Sequence, residues 1–351
     1  MTAQNILNLR HQNIFRATVN HYISTAEPVG SKTLVKEYDF HVSSATIRNV
    51  MGKLEKAGFL YQPHVSAGRI PSDSGYRFYV DELVTPNVKT RKQVHQALTQ
   101  NSDEQLWGLE ATLQKANQIL STLSGYIALI TVPQQNYARL RHLQLLPLSA
   151  SKVMVIVVTD MFQPQSVAFE LEYDPDELTL LANFLNHHLQ GRSLEEISRL
   201  DLDALDQDFR HCAELLDTIC QTVAKVNQNN LSTPILVHGI SEVLRQPEFS
   251  QLEQLQTLLH LIEVRQEQLF PVMFNREGEE GTTLIHIGTE NPLEPMKTCA
   301  LVSANYYQEE VPVGSVGVIG PTRMFYENAI ALVEATADYI SASLTTQPEL
   351  A

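Results

Sequence analysis

The chain has few of the side chains that covalent or metal chemistry needs. Three cysteines, Cys212, Cys220 and Cys299, stand among 351 residues. An odd set without CxxC spacing argues against a disulfide framework and a zinc site, and the three read as small buried hydrophobes. No uninterrupted apolar run approaches the roughly 18 residues that a membrane helix needs. The opening MTAQNILNLRHQ has no apolar signal core, so no membrane partner and a cytoplasmic location are expected. HExxH is absent. His187, His188 and His211 fall on expected helices without carboxylates at ligand spacing, and His260 with Glu263 reads as a solvated pair, so no metal is expected. Gly314, Gly317 and Gly320 are spaced GxxGxxG rather than the dinucleotide GxGxxG and run into Pro321. They read as structural turns, and no cofactor is expected.

What is present is an uneven charge. The formal net charge of -15 argues against a chain that coats nucleic acid along its whole length. Residues 1–80, however, hold nine basic side chains (Arg10, Arg16, Lys32, Lys36, Arg48, Lys53, Lys56, Arg69, Arg77) against five acidic ones, a net +4. The remainder has 16 basic against 35 acidic. Such asymmetry points to an anion-binding module joined to an acidic body, with nucleic acid as the leading partner. The length suits two or three domains, and 43% hydrophobic residues suit globular ones.

The pattern along the chain supports that division. Ile14, Ala17, Val19 and Ile23 suggest a first helix ended by STAEPVGS, and Ser31 can cap a second at SKTLVKEY. Ile47, Val50, Met51 and Leu54 recur at i, i+3, i+4 and i+7 in a third helix, with a serine before it and Gly58 behind. FLYQPHVSAGRIPSDSGYRFYV then reads as strand, turn and strand running into a helix, the order of a winged helix. After the TPN linker at Thr85–Asn87, Ser102 and Gln105 have capping-box spacing. Leu106, Leu109, Leu113, Ala116, Leu120 and Leu123 continue as a coiled-coil-like seam.

Strands are expected at YIALITV, LRHLQLLPL, KVMVIVVT and VAFELEY, then a helix capped by Asp174. A helical stretch 193–229 starts with the Ser193–Glu196 capping box, and one long helix is expected over Gln251–Leu269. A strand trio and a final helix with Ile330, Val333, Ala337, Ile340 and Leu344 close the chain. Strands in the middle and near the end, separated by helices, suggest two α+β units beyond the first module.

On the third helix the face opposite the apolar stripe carries Ala45, Asn49, Gly52 and Lys56, flanked by Arg48 and Lys53. Small residues let a helix backbone sit deep in a groove, while Arg and Asn can pair with guanine and adenine edges and Lys with phosphate. Ser43 and Ser44 add donors at the helix N-terminus. A remote alternative makes His64, Ser66 and Asp73 a hydrolytic triad, but no nucleophile elbow accompanies them.

The run VSSATIRNVMGKLEKAGFLYQPHVSAGRIPSDSGYRFYVDEL resembles the signature of the HrcA family of heat-inducible transcription repressors, sharply over residues 42–83. Phe59 stands where the resemblance expects leucine. VGVIGPTRMFY and the closing helix are similar to the family's C-terminal end. The resemblance implies an α+β multidomain fold. It comprises a winged helix-turn-helix at 1–84, a discontinuous GAF-like α/β domain at 85–136 and 231–351, and an inserted α+β dimerising domain at 137–230.

It also implies a homodimer that represses chaperone genes from an inverted-repeat operator and needs the chaperonin GroEL to stay active. DNA contacts are then expected at Ser43, Ser44, Thr46, Arg48, Asn49 and Lys53, with Arg69 at the wing and Lys32 and Thr33 supporting phosphate. The second reading within binding proteins is a ligand-sensing regulator using a GAF-like pocket near Tyr306 and Tyr307.

Overall fold

Three short amphipathic segments and a hairpin open the chain, and their caps explain where each begins. In the computed structural model, α1 (Leu9–Thr25) starts at Asn8, whose Oδ1 accepts the His11 N–H at 3.0 Å. It stops at Ala26, whose φ of 57° turns the chain out of the helix. α2 spans Ser31–Glu37, and α3 (Ser44–Lys56) packs on both α1 and α2. Ile14, Phe15, Val19 and Ile23 of α1, Leu34 of α2 and Ile47, Val50, Met51 and Leu54 of α3 are buried. The described residues are 7–99, 109–133, 139–149, 151–159, 165–170, 173, 175–193, 196–197, 234–244, 246–250, 252–274, 282–308 and 310–345.

β1 (Leu60–Tyr61) pairs antiparallel with β2 (Ile70–Pro71), and α4 (Asp73–Glu82) follows. Ser72 joins hairpin to helix: its Oγ accepts the Gly75 N–H at 3.0 Å and donates to the Gly58 carbonyl at 2.5 Å. The rings of Phe15, Phe59 and Phe78 meet with centroids 4.9 to 5.9 Å apart, so Phe59 supplies an aromatic contact that a leucine would lack. Tyr76, Phe78, Tyr79 and Val80 are buried, as anchors of this junction should be.

The remaining elements are α5 (Val88–Thr99), α6 (Leu109–Ser124), β3 (Ile127–Thr131), β4 (Leu140–Ser149), β5 (Lys152–Thr159), β6 (Gln165–Glu170), α7 (Pro175–Leu189), β7 (Ile235–His238), α8 (Ile240–Val243), α9 (Leu252–Val264), α10 (Gln266–Met273), β8 (Thr283–Ile287), β9 (Cys299–Gln308), β10 (Val311–Pro321) and α11 (Tyr326–Thr345). They complete two compact units, one of residues 1–102, 114–130 and 236–351, the other of residues 103–113 and 131–235.

The first unit is built on a five-stranded sheet in the order β7-β3-β10-β9-β8. Its central strands are near-continuous apolar runs, as burial on both faces requires. α11 lies over β9 and β10 and packs on α5. Polar groups tie the N-terminal helices to this sheet, beside the buried ring contact of Tyr76 with Tyr326. Arg77 donates from Nε to Glu290 Oε1 at 2.9 Å and from Nη2 to the Ile285 carbonyl at 2.6 Å, while also pairing with Glu290 Oε2. Asp73 Oδ2 accepts from Thr289 N and Oγ1 at 2.9 and 2.8 Å. Arg323 donates to the Ile23 carbonyl at 3.0 Å and pairs with Glu248.

The second unit has a three-stranded antiparallel sheet, β4-β5-β6, with α7 on one face. Leu140, Leu143, Val155, Val157, Leu181, Leu185 and Leu189 form its core with Ile197. Asn186 reaches from α7 to the β4 backbone, accepting the Leu143 N–H and donating to its carbonyl, both at 2.7 Å.

Several local expectations change. Ser31 sits one position inside α2, because Gly30 carries the extended backbone of the cap. The helix expected over Gln251–Leu269 breaks at Arg265 (φ -118°, ψ 42°) into α9 and α10, a one-residue interruption that an apolar stripe does not reveal. Gly314, Gly317 and Gly320 lie inside β10 rather than in turns. A Cβ at Gly314 would enter the Tyr306 ring, and one at Gly320 would lie 2.6 Å from the Tyr126 ring.

Leu123, the last residue of the expected seam, is exposed, whereas Leu113, Ala116 and Leu120 are buried. The Ser193–Glu196 capping box is formed, with reciprocal bonds of 2.9 and 3.1 Å. Cys299 is buried and its thiol is pushed up to about 12 by that burial, as a small core hydrophobe would be. Cys212, Cys220, His211, Ser102, Gln105, Leu106, Asp174 and most of the stretch 193–229 lie outside the described residues.

Candidate nucleic-acid interface

α3 begins where Ser43 Oγ accepts the Thr46 N–H at 3.2 Å, and the two hydroxyls lie 3.0 Å apart. Burial of Ile47, Val50, Met51 and Leu54 turns Arg48, Asn49 and Lys53 outward, where all three are exposed. Ala45, Arg48, Asn49, Gly52, Lys53 and Lys56 line an open concavity, and Arg69 of the hairpin completes it. Residues 48 and 69, far apart in the chain, thus share one cationic surface.

Gly52 is the most informative of these residues. A Cβ added there would meet nothing within 4 Å, so no internal packing demands a glycine in this helix interior. Such a glycine costs about 0.5–1 kcal/mol relative to alanine. Nothing in the packing of α3 accounts for it.

The hairpin tip is shaped by Gln62, whose Nε2 donates to the carbonyls of Val65 at 2.9 Å and Ala67 at 2.8 Å. That leaves Val65 99% exposed at the apex. A Cβ at Gly68 would come within 2.5 Å of the Val29 backbone, so the glycine lets the hairpin close onto the loop between α1 and α2. The positive surface continues onto α1. His11 is held below its ordinary value by burial and then by the charges of Lys53 and Arg10.

The expected contact residues therefore divide by place. Arg48, Asn49, Lys53 and Arg69 come together, Ser43, Ser44 and Thr46 stand at the α3 N-terminus, and Lys32 and Thr33 lie in the first turn of α2. Two of the nine N-terminal cations are internally paired, Arg69 with Glu55 and Arg77 with Glu290 and Asp81. The pairs with Glu55 and Glu290 join residues 14 and 213 positions apart, and charge counting could not show them. His11 and Glu55, which sequence reasoning passed over, belong to the surface for the same reason.

The other candidate sites resolve differently. No hydrogen bond joins His64, Ser66 and Asp73, and the Asp73 carboxylate accepts from Thr289. Tyr306 and Tyr307 are buried in β9. His260 and Glu263 are exposed on α9. Among the described residues no group of three or more His, Cys, Asp or Glu side chains could hold a metal, and no helix is long and apolar enough to cross a membrane.

The family model for the HrcA protein C-terminal domain matches residues 110–330. The Heat-inducible transcription repressor HrcA of Trichormus variabilis is 52% identical over 357 residues, covering 95% of this chain and 98% of that protein. The chain belongs to the HrcA family. The relative of the same name in Synechocystis sp. is 48% identical, covering 97% and 98% of the two chains.

A crystal structure of a hypothetical protein at 2.2 Å resolution is also similar, with a TM-score of 0.64 and 25% identity, covering 97% of this chain and 99% of that one. Membership of the HrcA family makes the chain a heat-inducible transcription repressor and not an enzyme, and DNA binding follows from that activity.

Proposed function

We propose that α1–α3 and the β1–β2 hairpin form a winged helix-turn-helix that places α3 in the major groove of an operator. The observation that carries this reading is the open cationic concavity floored by Gly52, a glycine the fold itself does not use. Arg48 and Asn49 supply base-edge donors and acceptors, Lys53 and the first turn of α2 meet phosphate, and Arg69 approaches from the wing. The hydroxyls of Ser43, Ser44 and Thr46 stand at the positive end of α3, where a phosphate is favoured.

One such module reads only a few base pairs, so useful specificity requires two copies on an inverted repeat. The sheet of the first unit is the GAF-like domain, and the β4-β5-β6 unit is the dimerising insertion. Support for the latter comes from its second face, where Met154, Ile156 and Val158 are only partly covered and Leu146 is exposed. The genes repressed are those for chaperones, in the cytoplasm. The chaperonin GroEL binds the operator-competent dimer and raises its population by mass action, and heat-unfolded clients that occupy the chaperonin lower it.

Gel-shift titration of Arg48→Ala and Lys53→Ala against a duplex carrying an inverted repeat from upstream of the chaperonin operon tests the DNA assignment. Arg48→Ala is expected to cost roughly 1–3 kcal/mol and relax specificity, and Lys53→Ala to weaken all sequences and lower the salt slope by about one. Unchanged operator affinity in both would refute it. Repression measured against temperature, with and without chaperonin, tests the regulatory half, and a flat response would sink that half alone.

A further inference from the structure

Arg69 is held by two partners, Val29 and Glu55. Its N–H donates to the Val29 carbonyl and its carbonyl accepts the Val29 N–H, both at 2.9 Å, so its backbone is stitched to the loop between α1 and α2. Its side chain turns to α3, where Nε and Nη2 both donate to Glu55 Oε2, at 3.0 and 2.9 Å. The Arg69 side chain is only 18% exposed, yet it lines the concavity together with Arg48, Asn49 and Lys53. Glu55 is the single acidic residue of α3, two positions after Lys53 and next to Lys56. On a surface that meets phosphate, a lone carboxylate is a liability, since it repels the ligand that its neighbours attract.

We propose that Glu55 is a positioning residue for DNA recognition, locking the Arg69 guanidinium to the recognition helix so that wing and helix present their cations as one array. The proposal rests on the reading that Arg69 faces DNA. Arginine is rich in rotamers, and a guanidinium ordered before DNA arrives loses less entropy on contact. Glu55 engages Nε and Nη2 through a single oxygen, and Nη1 takes no part in that ion pair. The edge bearing Nη1 is the one available to a phosphate oxygen. The same ion pair ties the wing to α3, so a contact made by either constrains the other.

The test is a double-mutant cycle on the full chain, using the inverted-repeat duplex and a scrambled duplex of equal composition across a salt series, with thermal unfolding of each variant. Arg69→Ala is expected to lower operator affinity roughly 5- to 30-fold and the salt slope by about one. Glu55→Ala should lose roughly 3- to 10-fold on the operator without weakening the scrambled duplex, and Glu55→Gln, which keeps an acceptor oxygen, should recover part of that loss.

In the Arg69→Ala background, Glu55→Ala should cost nothing further. Losses that fall equally on operator and scrambled duplex and track the melting temperature mark a merely structural role, and that result overturns the proposal, as do losses that simply multiply in the double variant. Tighter operator binding by Glu55→Ala also overturns it, because the carboxylate would then act only by repulsion. If Arg69→Ala by itself leaves affinity and salt slope unchanged, the DNA contact of Arg69 fails, and the positioning role fails with it.

Discussion

Replacing Gly52 by alanine should make the protein more stable and a poorer repressor. The stability part follows from local structure. Gly52 lies in the interior of α3, and its added Cβ meets nothing within 4 Å, so the helix-propensity gain of about 0.5–1 kcal/mol is not offset by crowding. In a unit of this size that corresponds to a rise of roughly 1–4 °C in melting temperature.

The binding part follows from position. Gly52 lines the same concavity as Arg48 and Asn49, so a methyl there holds the α3 backbone about 1 Å further from a groove floor. Bidentate base contacts are worth roughly 1–3 kcal/mol each, and weakening one or two predicts a 10- to 100-fold loss on operator. Binding to random duplex is driven by phosphate charge and should change by less than about twofold.

Thermal unfolding paired with operator and random-duplex titrations at one salt concentration reads both effects. A variant that is stabilised and still binds operator like the parent would show that nothing approaches α3 at this residue. A destabilised variant would contradict the open space around it.

Other perturbations probe the rest of the molecule. Glu290→Gln weakens the clasp on Arg77 and should cost about 1–2 kcal/mol at neutral pH, read by denaturant unfolding. Burial alone would raise the Glu290 carboxyl, but bonding to Arg77, the Ile287 N–H and the Arg77 charge outweigh it and hold it below its ordinary value. Its contribution is therefore complete above the ordinary carboxylate range, about pH 4, and is lost as pH falls through the lowered value. The parent should lose stability over that acid window, and Glu290→Gln should lose less.

Asn186→Ala strips both side-chain bonds from the Leu143 backbone and should cost about 1–3 kcal/mol, visible as faster amide exchange at Leu143. Met154→Glu on the second face of β5 should shift the protein from dimer to monomer in sedimentation and weaken operator binding with it. A monomeric parent, or an unchanged dimer in the variant, would refute the assigned interface.

Much of this molecule is set by local signals in the chain. The 3.6-residue periodicity placed α3, an apolar run placed β5 and alternation placed β6, serine placed the start of α3, and the burial of Ile47, Val50, Met51 and Leu54 follows from their spacing. That burial also turns Arg48, Asn49 and Lys53 outward, so the exposed cationic face of α3 was legible before any fold was known. The strand at GSVGVIG was expected, but its glycines were read as turns, because GxxGxxG reports only backbone freedom. Whether that freedom serves a turn or makes room for the rings of Tyr306 and Tyr126 depends on strands that pair from elsewhere in the chain.

Charge misled in the same way. Arg69 and Arg77 count equally toward a basic N-terminus, yet one is bound to Glu55 and the other to Glu290, 213 residues further along the chain. Periodicity and capping act within a few residues, and sequence carries them directly. Which cation faces outward and which is tied inward depends on elements meeting through space, and only the tertiary structure decides that.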